Sequence, residues 1–184
     1  MVNILTETIA LYKIEDKKMN KKDKKNYINL ASPKLGTKII SFTDDFFGKV
    51  SRMLNDTSPK FIENKYDNHG KWMDGWESRR RRDDGHDWAI IKLGSPGKVH
   101  EVEIDTSFFT GNYPPHASIE GLYSEKNPKY GDDWKKILKK QKLQGDKVHT
   151  FKVSSSKVNY IRFQIFPDGG IARLRLFGNV EIDL

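Results

Sequence analysis

No cysteine occurs among the 184 residues. That absence excludes disulfides, thiolate nucleophiles and cysteine-based zinc centres, and it fits a reducing compartment. No apolar run approaches the roughly 20 residues that a membrane-spanning helix needs. The opening stretch MVNILTETIALYKIEDKK is interrupted by Glu7 and Glu15 and has no basic segment ahead of its apolar part. It does not read as a secretory signal, and the cytoplasm is the expected compartment. Also missing are an internal repeat and the strand–helix–strand rhythm of a parallel α/β sheet.

What is present is the material of one globular domain. The length suffices to bury a single core. The hydrophobic fraction is 36% and the aromatic fraction 11%, so the core leans on Phe, Tyr and Trp. The net charge of +8 and the run Arg79-Arg80-Arg81-Arg82 raise the question of nucleic acid. Two features weigh against that partner. Much of the excess lies between Lys17 and Lys25, and the arginine run is bracketed by Glu77, Asp83, Asp84 and Asp87. Residues 1–28 read as a basic N-terminal arm too charged to pack, and 29–184 as the folded domain.

Within that domain the pattern is one of short strands. Lys38–Phe42 reads as the first. Thr43-Asp44-Asp45 then resembles a helix cap, with Phe46, Phe47, Val50, Met53 and Leu54 at helical spacing, so a short helix with a core-facing stripe is predicted over 44–54. Residues 55–87 form a long polar loop, and long loops in compact domains are often functional. Strands follow at Trp88–Leu93, Val99–Asp105, Ala117–Tyr123, His149–Val153, Tyr160–Phe166 and Ile171–Phe177, and 134–138 is counted as one more. Gly94–Gly97 reads as a tight turn. Alternation is clear where Ile161, Phe163 and Ile165 oppose Tyr160, Arg162 and Gln164. The expected fold is all-β: an antiparallel β-sandwich with one short helix.

Strand parity then says which loops meet. Successive antiparallel strands reverse direction, so the loop before Trp88, the loop 107–116, the connection around 141–146 and the turn Pro167–Gly170 share one end. That end gathers Trp72, Asp74, Trp76, Glu77, Arg79, Arg80, His86, Asp87, Thr106, Asn112, His116 and Asp168. Charged and aromatic loops above a rigid scaffold suit a small polar substrate.

At these residues the chain resembles the allantoicase family. The likeness rests on Asn29-Leu30-Ala31-Ser32, on Trp72-Met73-Asp74-Gly75-Trp76-Glu77-Ser78-Arg79-Arg80 and on His86-Asp87-Trp88. Glu103-Ile104-Asp105-Thr106 with Phe109, Gly111 and Asn112, and Pro167-Asp168-Gly169-Gly170-Ile171-Ala172-Arg173, add to it. It runs from about Asn29 to Gly178. The resemblance implies the galactose-binding-like jelly roll and conversion of allantoate and water to ureidoglycolate and urea, in the breakdown of purines through allantoin. Members of the family usually carry two such repeats in tandem, whereas this sequence has one, so a homo-oligomer is expected to cover the face that a second repeat would meet.

That reaction sets two demands. The carboxylate and ureido oxygens of the substrate need fixed donors, for which Arg79 or Arg80 and then Arg173 are the candidates. The departing urea needs a proton and the incoming water a base, which points to Glu77, His86 and Asp87. Trp76 either walls the pocket or seals the core. Asn112 either binds a ureido group or holds its own loop, and Asp168 either orients a donor or shapes a turn. His86, Asp87, His116, His149 and Asp74 show no standard metal spacing, although related jelly rolls hold calcium through loop oxygens and Asp74 would be the natural ligand. No organic cofactor is expected, the divalent metal stays open, and no membrane contact is expected. The competing reading is a non-catalytic galactose-binding-like module that holds a small ligand on its end loops.

Overall fold

The computed structural model describes residues 26–181. Nearly all of the expected basic arm, Lys17 to Lys25 included, lies outside the described residues. Among the described residues there are twelve strands: β1 (Ile28–Asn29), β2 (Lys38–Phe42), β3 (Tyr66–Asp67), β4 (Gly70–Lys71), β5 (Trp76–Glu77), β6 (Asp87–Asp105), β7 (His116–Leu122), β8 (Lys135–Lys142), β9 (Val148–Lys152), β10 (Val158–Phe166), β11 (Gly170–Ile171) and β12 (Arg173–Val180). Every strand pairing is antiparallel, as expected from the alternation.

The hydrogen-bonded path β1-β12-β6-β10-β7-β8, with β2 and β9 also on β6, is one sheet by connectivity and two by shape. A straight strand of β6's length would separate its ends by about 60 Å. Yet Asp87 N–H donates to the Pro167 carbonyl (3.0 Å) and Ala172 N–H donates to the Asp105 carbonyl (2.8 Å). Pro167 and Ala172 are at most about 18 Å apart along the chain. β6 therefore folds back, and it does so where Gly97 pairs with both Val158 of β10 and Val180 of β12. The predicted turn at Gly94–Gly97 is thus a corner inside a continuous strand. A Cβ on Gly94 would collide with the Leu35 carbonyl packed against that corner.

The first half of β6 lies between β2 and β10, in a layer extended by β7 and β8. The second half lies between β9 and β12, with β1 beyond. Ile91, Ile161, Phe163 and Ile119 from one layer meet Val102, Ile104, Leu174 and Leu176 from the other, all fully buried. Truncating any of these to alanine would cost about 2–5 kcal/mol, by lost transfer energy plus a cavity. The outer face of the β10 layer is covered as well. Residues 123–134 lie over it, and Tyr160, expected to face outward, packs with Ile90 and Trp134 in a second cluster.

The helix predicted over 44–54 is not formed as such. Only Val50–Leu54 is helical, and it is a 3-10 helix. Residues before it are claimed by β5: Phe47 N–H and Gly48 N–H donate to the Glu77 carbonyl, and Glu77 N–H donates to Gly48. Tertiary pairing satisfies backbone groups that a helix would otherwise satisfy, so local spacing loses. Val50, Met53 and Leu54 are buried as expected, whereas Phe46 is exposed and Phe47 half-buried.

Arg173 anchors both ends of the segment 55–74. Its side chain is fully buried; Nε donates to Thr57 O (2.8 Å), one terminal nitrogen to Asp74 O (2.9 Å) and the other to Asp74 Oδ2 (2.8 Å). Lys60 N–H completes the clamp on Asp74 (2.9 Å).

Candidate functional site

Four connections meet at one end of the sandwich and are sewn together by hydrogen bonds from backbone N–H groups. Gly170 N–H donates to Asn112 O (2.7 Å), Leu143 N–H to Pro115 O (2.8 Å), Thr106 N–H to Lys147 O (2.9 Å) and Arg81 N–H to Asp168 Oδ2 (2.8 Å). Strand parity had grouped these same loops. Gly169 sits where two of them touch: its φ is +136°, and a Cβ there would lie 2.6 Å from Pro114 N.

Two hollows open at this end. A polar one of about 510 Å³ is lined by Glu77, Arg80, Arg81, Asn112, Tyr113 and Asp168. Beside it lies an apolar one of about 610 Å³, with Phe61, Met73 and Phe108 in its walls. Phe47, Glu77 and Asn112 belong to both and form the partition.

Glu77 is half-buried, and burial raises its carboxyl above the usual glutamate range, opposed only in part by the hydrogen bond from Asn112 Nδ2 (2.5 Å). A carboxyl group whose pKa is raised by burial is a better candidate to hold and donate a proton than an exposed one. Arg81 is held on three sides. Its Nε and one terminal nitrogen bond Asp83 (2.8 and 3.0 Å), and the other terminal nitrogen bonds Asp87 Oδ1 (2.8 Å). The Asp83 hydrogen bonds raise the guanidinium further above its ordinary value, and the same bonds lower the Asp83 carboxyl. Arg80 is exposed on the rim.

Among the sequence-derived candidates, Glu77, Arg80, Asn112 and Asp168 share the polar hollow. The others lie elsewhere. Trp76 is fully buried, its Nε1 donating to Asp44 O (2.8 Å) and its ring set against Phe163, so it seals the core rather than walling a pocket. Arg79 turns away: Asp44 takes its guanidinium (2.8 and 2.6 Å), which lies over Phe46. Burial pushes the Asp44 carboxyl up, but hydrogen bonds from Arg79 and Phe46 outweigh it and leave it lowered. Arg173 clamps the 55–74 loop and lines neither hollow.

His86 stacks on Phe166 at 4.4 Å and bonds Gln164 (2.9 Å) and the Tyr130 hydroxyl (3.1 Å). It borders a separate depression with His116. Asp87 is fully buried beneath Arg81, with Oδ2 the one buried side-chain atom lacking a hydrogen-bond partner among the described residues. His86 precedes β6 and bonds Gln164 and Tyr130, whereas Asp87 bonds Arg81, so the two neighbours are engaged by different partners. Asp74 Oδ2 accepts from the Arg173 guanidinium and from the Lys60 N–H. No group of three or more metal-binding side chains exists among the described residues.

Sequence reasoning missed Arg81, Tyr113 and Phe47. The acids after the arginine run were read as neutralising its field. Their spacing, Asp83 two residues and Asp87 six residues beyond Arg81, was the available sign that one arginine is fixed in place.

A jelly-roll module whose end loops enclose a charged, ligand-sized hollow is the class that fold and site define. Comparison with known proteins narrows it. The family model of the allantoicase repeat matches residues 28–181. A probable allantoicase of Acinetobacter baumannii (strain ACICU) is 49% identical over 157 residues, which is 85% of this chain and 47% of that protein. The crystal structure of allantoicase from Saccharomyces cerevisiae superposes with a TM-score of 0.73 at 34% identity, over 84% of this chain and 49% of that one. A carbohydrate-binding module of a family 31 glycoside hydrolase from Clostridium perfringens shares the fold alone, with TM-score 0.58 at 12% identity over 83% of this chain and 95% of that one. The chain belongs to the allantoicase repeat family. It spans about half the length of the curated relatives it matches.

Proposed function

We propose that the polar hollow releases urea from allantoate, giving ureidoglycolate. The observation that carries this reading is a half-buried glutamic acid with a raised pKa, bonded to Asn112 and sharing one hollow with Arg80, Arg81 and Asp168. Membership of the allantoicase repeat family supports it.

In this mechanism Arg80 takes the substrate carboxylate, which its planar fork matches, while Arg81, held by Asp83 and Asp87, sets the wall beside it. Asn112 holds both Glu77 and a ureido group. Glu77 gives its proton to the nitrogen of the departing urea as the bond from the central carbon to that nitrogen breaks. The lone pair of the remaining ureido nitrogen forms the C=N bond of the acylimine, and the proton that this nitrogen loses passes to the Glu77 carboxylate. Water then adds at the central carbon, and Asp168 accepts the water proton and delivers it to that nitrogen, so both carboxyl groups return to their starting states. Water is the only co-reactant the equation requires. We also place the protein in the cytoplasm as a homo-oligomer; a strictly monomeric species in light scattering at high concentration would contradict the second point. No helix of the described residues is long and apolar enough to cross a membrane.

The test is urea release from allantoate by the purified chain. Glu77→Gln is expected to lower kcat about 100-fold or more, the usual contribution of a positioned acid. Arg80→Ala is expected to raise KM more than it lowers kcat. Wild-type rates in both variants would remove these residues from the reaction.

A further inference from the structure

The apolar hollow has features that a structural role leaves unexplained. Phe61 and Phe108 are 45% and 39% exposed, and their rings lean on each other at 5.8 Å to make one aromatic wall. Phe108 adopts φ +69°, a left-handed conformation that is a genuine outlier for so bulky a side chain. Asp146 across the rim is left-handed too, at φ +50°, and its Oδ1 accepts the Phe108 N–H (2.8 Å). Two strained residues thus brace each other, and the result is a ring held toward solvent. Folding alone favours the opposite arrangement, an unstrained backbone with the ring buried.

The hollow they wall has about 610 Å³, within the range of small-molecule sites, and is open to solvent. Its polar lining comprises Glu77 and Asn112 at the partition together with His69, Lys71, Thr110 and Asp146, and the Lys71 ammonium lies over the Phe61 ring at 4.5 Å. At the partition, the carboxyl of Glu77 and the amide of Asn112 stand side by side at 2.5 Å. Together they offer donor and acceptor functions in one place, which is the complement of a carboxamide. An aromatic wall facing a carboxyl–amide pair is matched by a flat ring carrying an amide.

We propose that this hollow is a second binding site, for a small planar aromatic amide whose ring rests on Phe61 and Phe108 and whose amide is read by Glu77 and Asn112. Because the partition is shared, its occupant competes with the ligand of the polar hollow. The competition rests on the proposed urea-releasing reaction; the binding does not.

Benzamide is the probe, with acetamide as the control that has the amide and lacks the ring. Backbone amide shifts of the wild-type protein are followed by NMR during titration. Benzamide is expected to bind with a Kd of about 1 mM, as its size allows, and to shift Gly70, Phe108 and Thr110. Acetamide is expected to bind at least tenfold more weakly. Phe61→Ala and Phe108→Ala are each expected to weaken benzamide about fivefold or more while leaving urea release from allantoate unchanged. Two variants are used because Phe108 sits in a strained turn. Shifts absent in the wild type, equal binding of both probes, or benzamide binding intact in both variants would each overturn the proposal. Absence of urea release with benzamide binding intact would overturn the catalytic reading alone.

Discussion

Arg173→Met separates a structural arginine from a substrate-binding one. The substitution keeps much of the aliphatic stem and deletes the guanidinium. Lost are an ion pair to Asp74 Oδ2 at 2.8 Å and bonds to the carbonyls of Thr57, Asp74 and Ala172, all from a side chain with no exposure. Breaking a buried pair from one side costs about 3–5 kcal/mol, because the partner charge stays behind without compensation. Asp74 retains Lys60 N–H and an 11% opening to water, which favours the lower part of that range, about 3–4 kcal/mol. For a domain of this size each kcal/mol lowers Tm by about 2–4 °C, so a fall of about 6–16 °C is expected. Thermal unfolding followed by circular dichroism measures it. In parallel, urea release well below the melting transition should keep most of its wild-type KM, since Arg173 lines neither hollow. A variant that melts within about 2 °C of wild type yet loses substrate affinity would refute the reasoning and return Arg173 to the site.

Glu77→Gln should also change stability, in a direction set by pH. Burial raises the folded-state pKa of Glu77 above its unfolded value. The stability that the protonated form contributes is therefore complete below the unfolded pKa and lost as pH rises through the folded one. Glutamine carries no such loss. Its Tm should match the wild type in acid and exceed it near neutrality, and a Tm difference that ignores pH would contradict a buried, titrating Glu77. Gly169→Ala places a methyl 2.6 Å from Pro114 N on a backbone at φ +136°. The expected cost is about 1–3 kcal/mol of stability, with a larger loss of kcat/KM at permissive temperature because Asp168 and Asn112 are pushed apart; unchanged kinetics would show that the contact of these two loops does not shape the site.

The strand pattern was legible where a strand has one face in the core and the other in water. Leu174 and Leu176 alternate with Arg175 and Phe177, and the period survives whatever the neighbours do. Parity followed from it, and so did the meeting of the loops that carry Glu77, Asn112 and Asp168. The corner in β6 left that parity intact, since a strand that doubles back and two strands joined by a turn end at the same pole. The helix over 44–54 failed for a nonlocal reason. Gly48 bonds to Glu77, and nothing within residues 44–54 announces a partner that far along the chain.

Residue types and periods, then, determined an antiparallel sandwich and the pole at which chemistry gathers, and the resemblance of its motifs pointed to the family. Which charged groups remain available there was decided by the folded state. Four consecutive arginines look alike in sequence; in the fold Asp44 captures Arg79, Arg80 stays on the rim, and Asp83 with Asp87 fixes Arg81. Arg173 and Trp76 lie in motifs that resemble a site, yet both are buried and bonded to carbonyls from residues far away in the chain. A side chain's availability depends on which distant groups reach it first, and those distances exist only once the loops have closed.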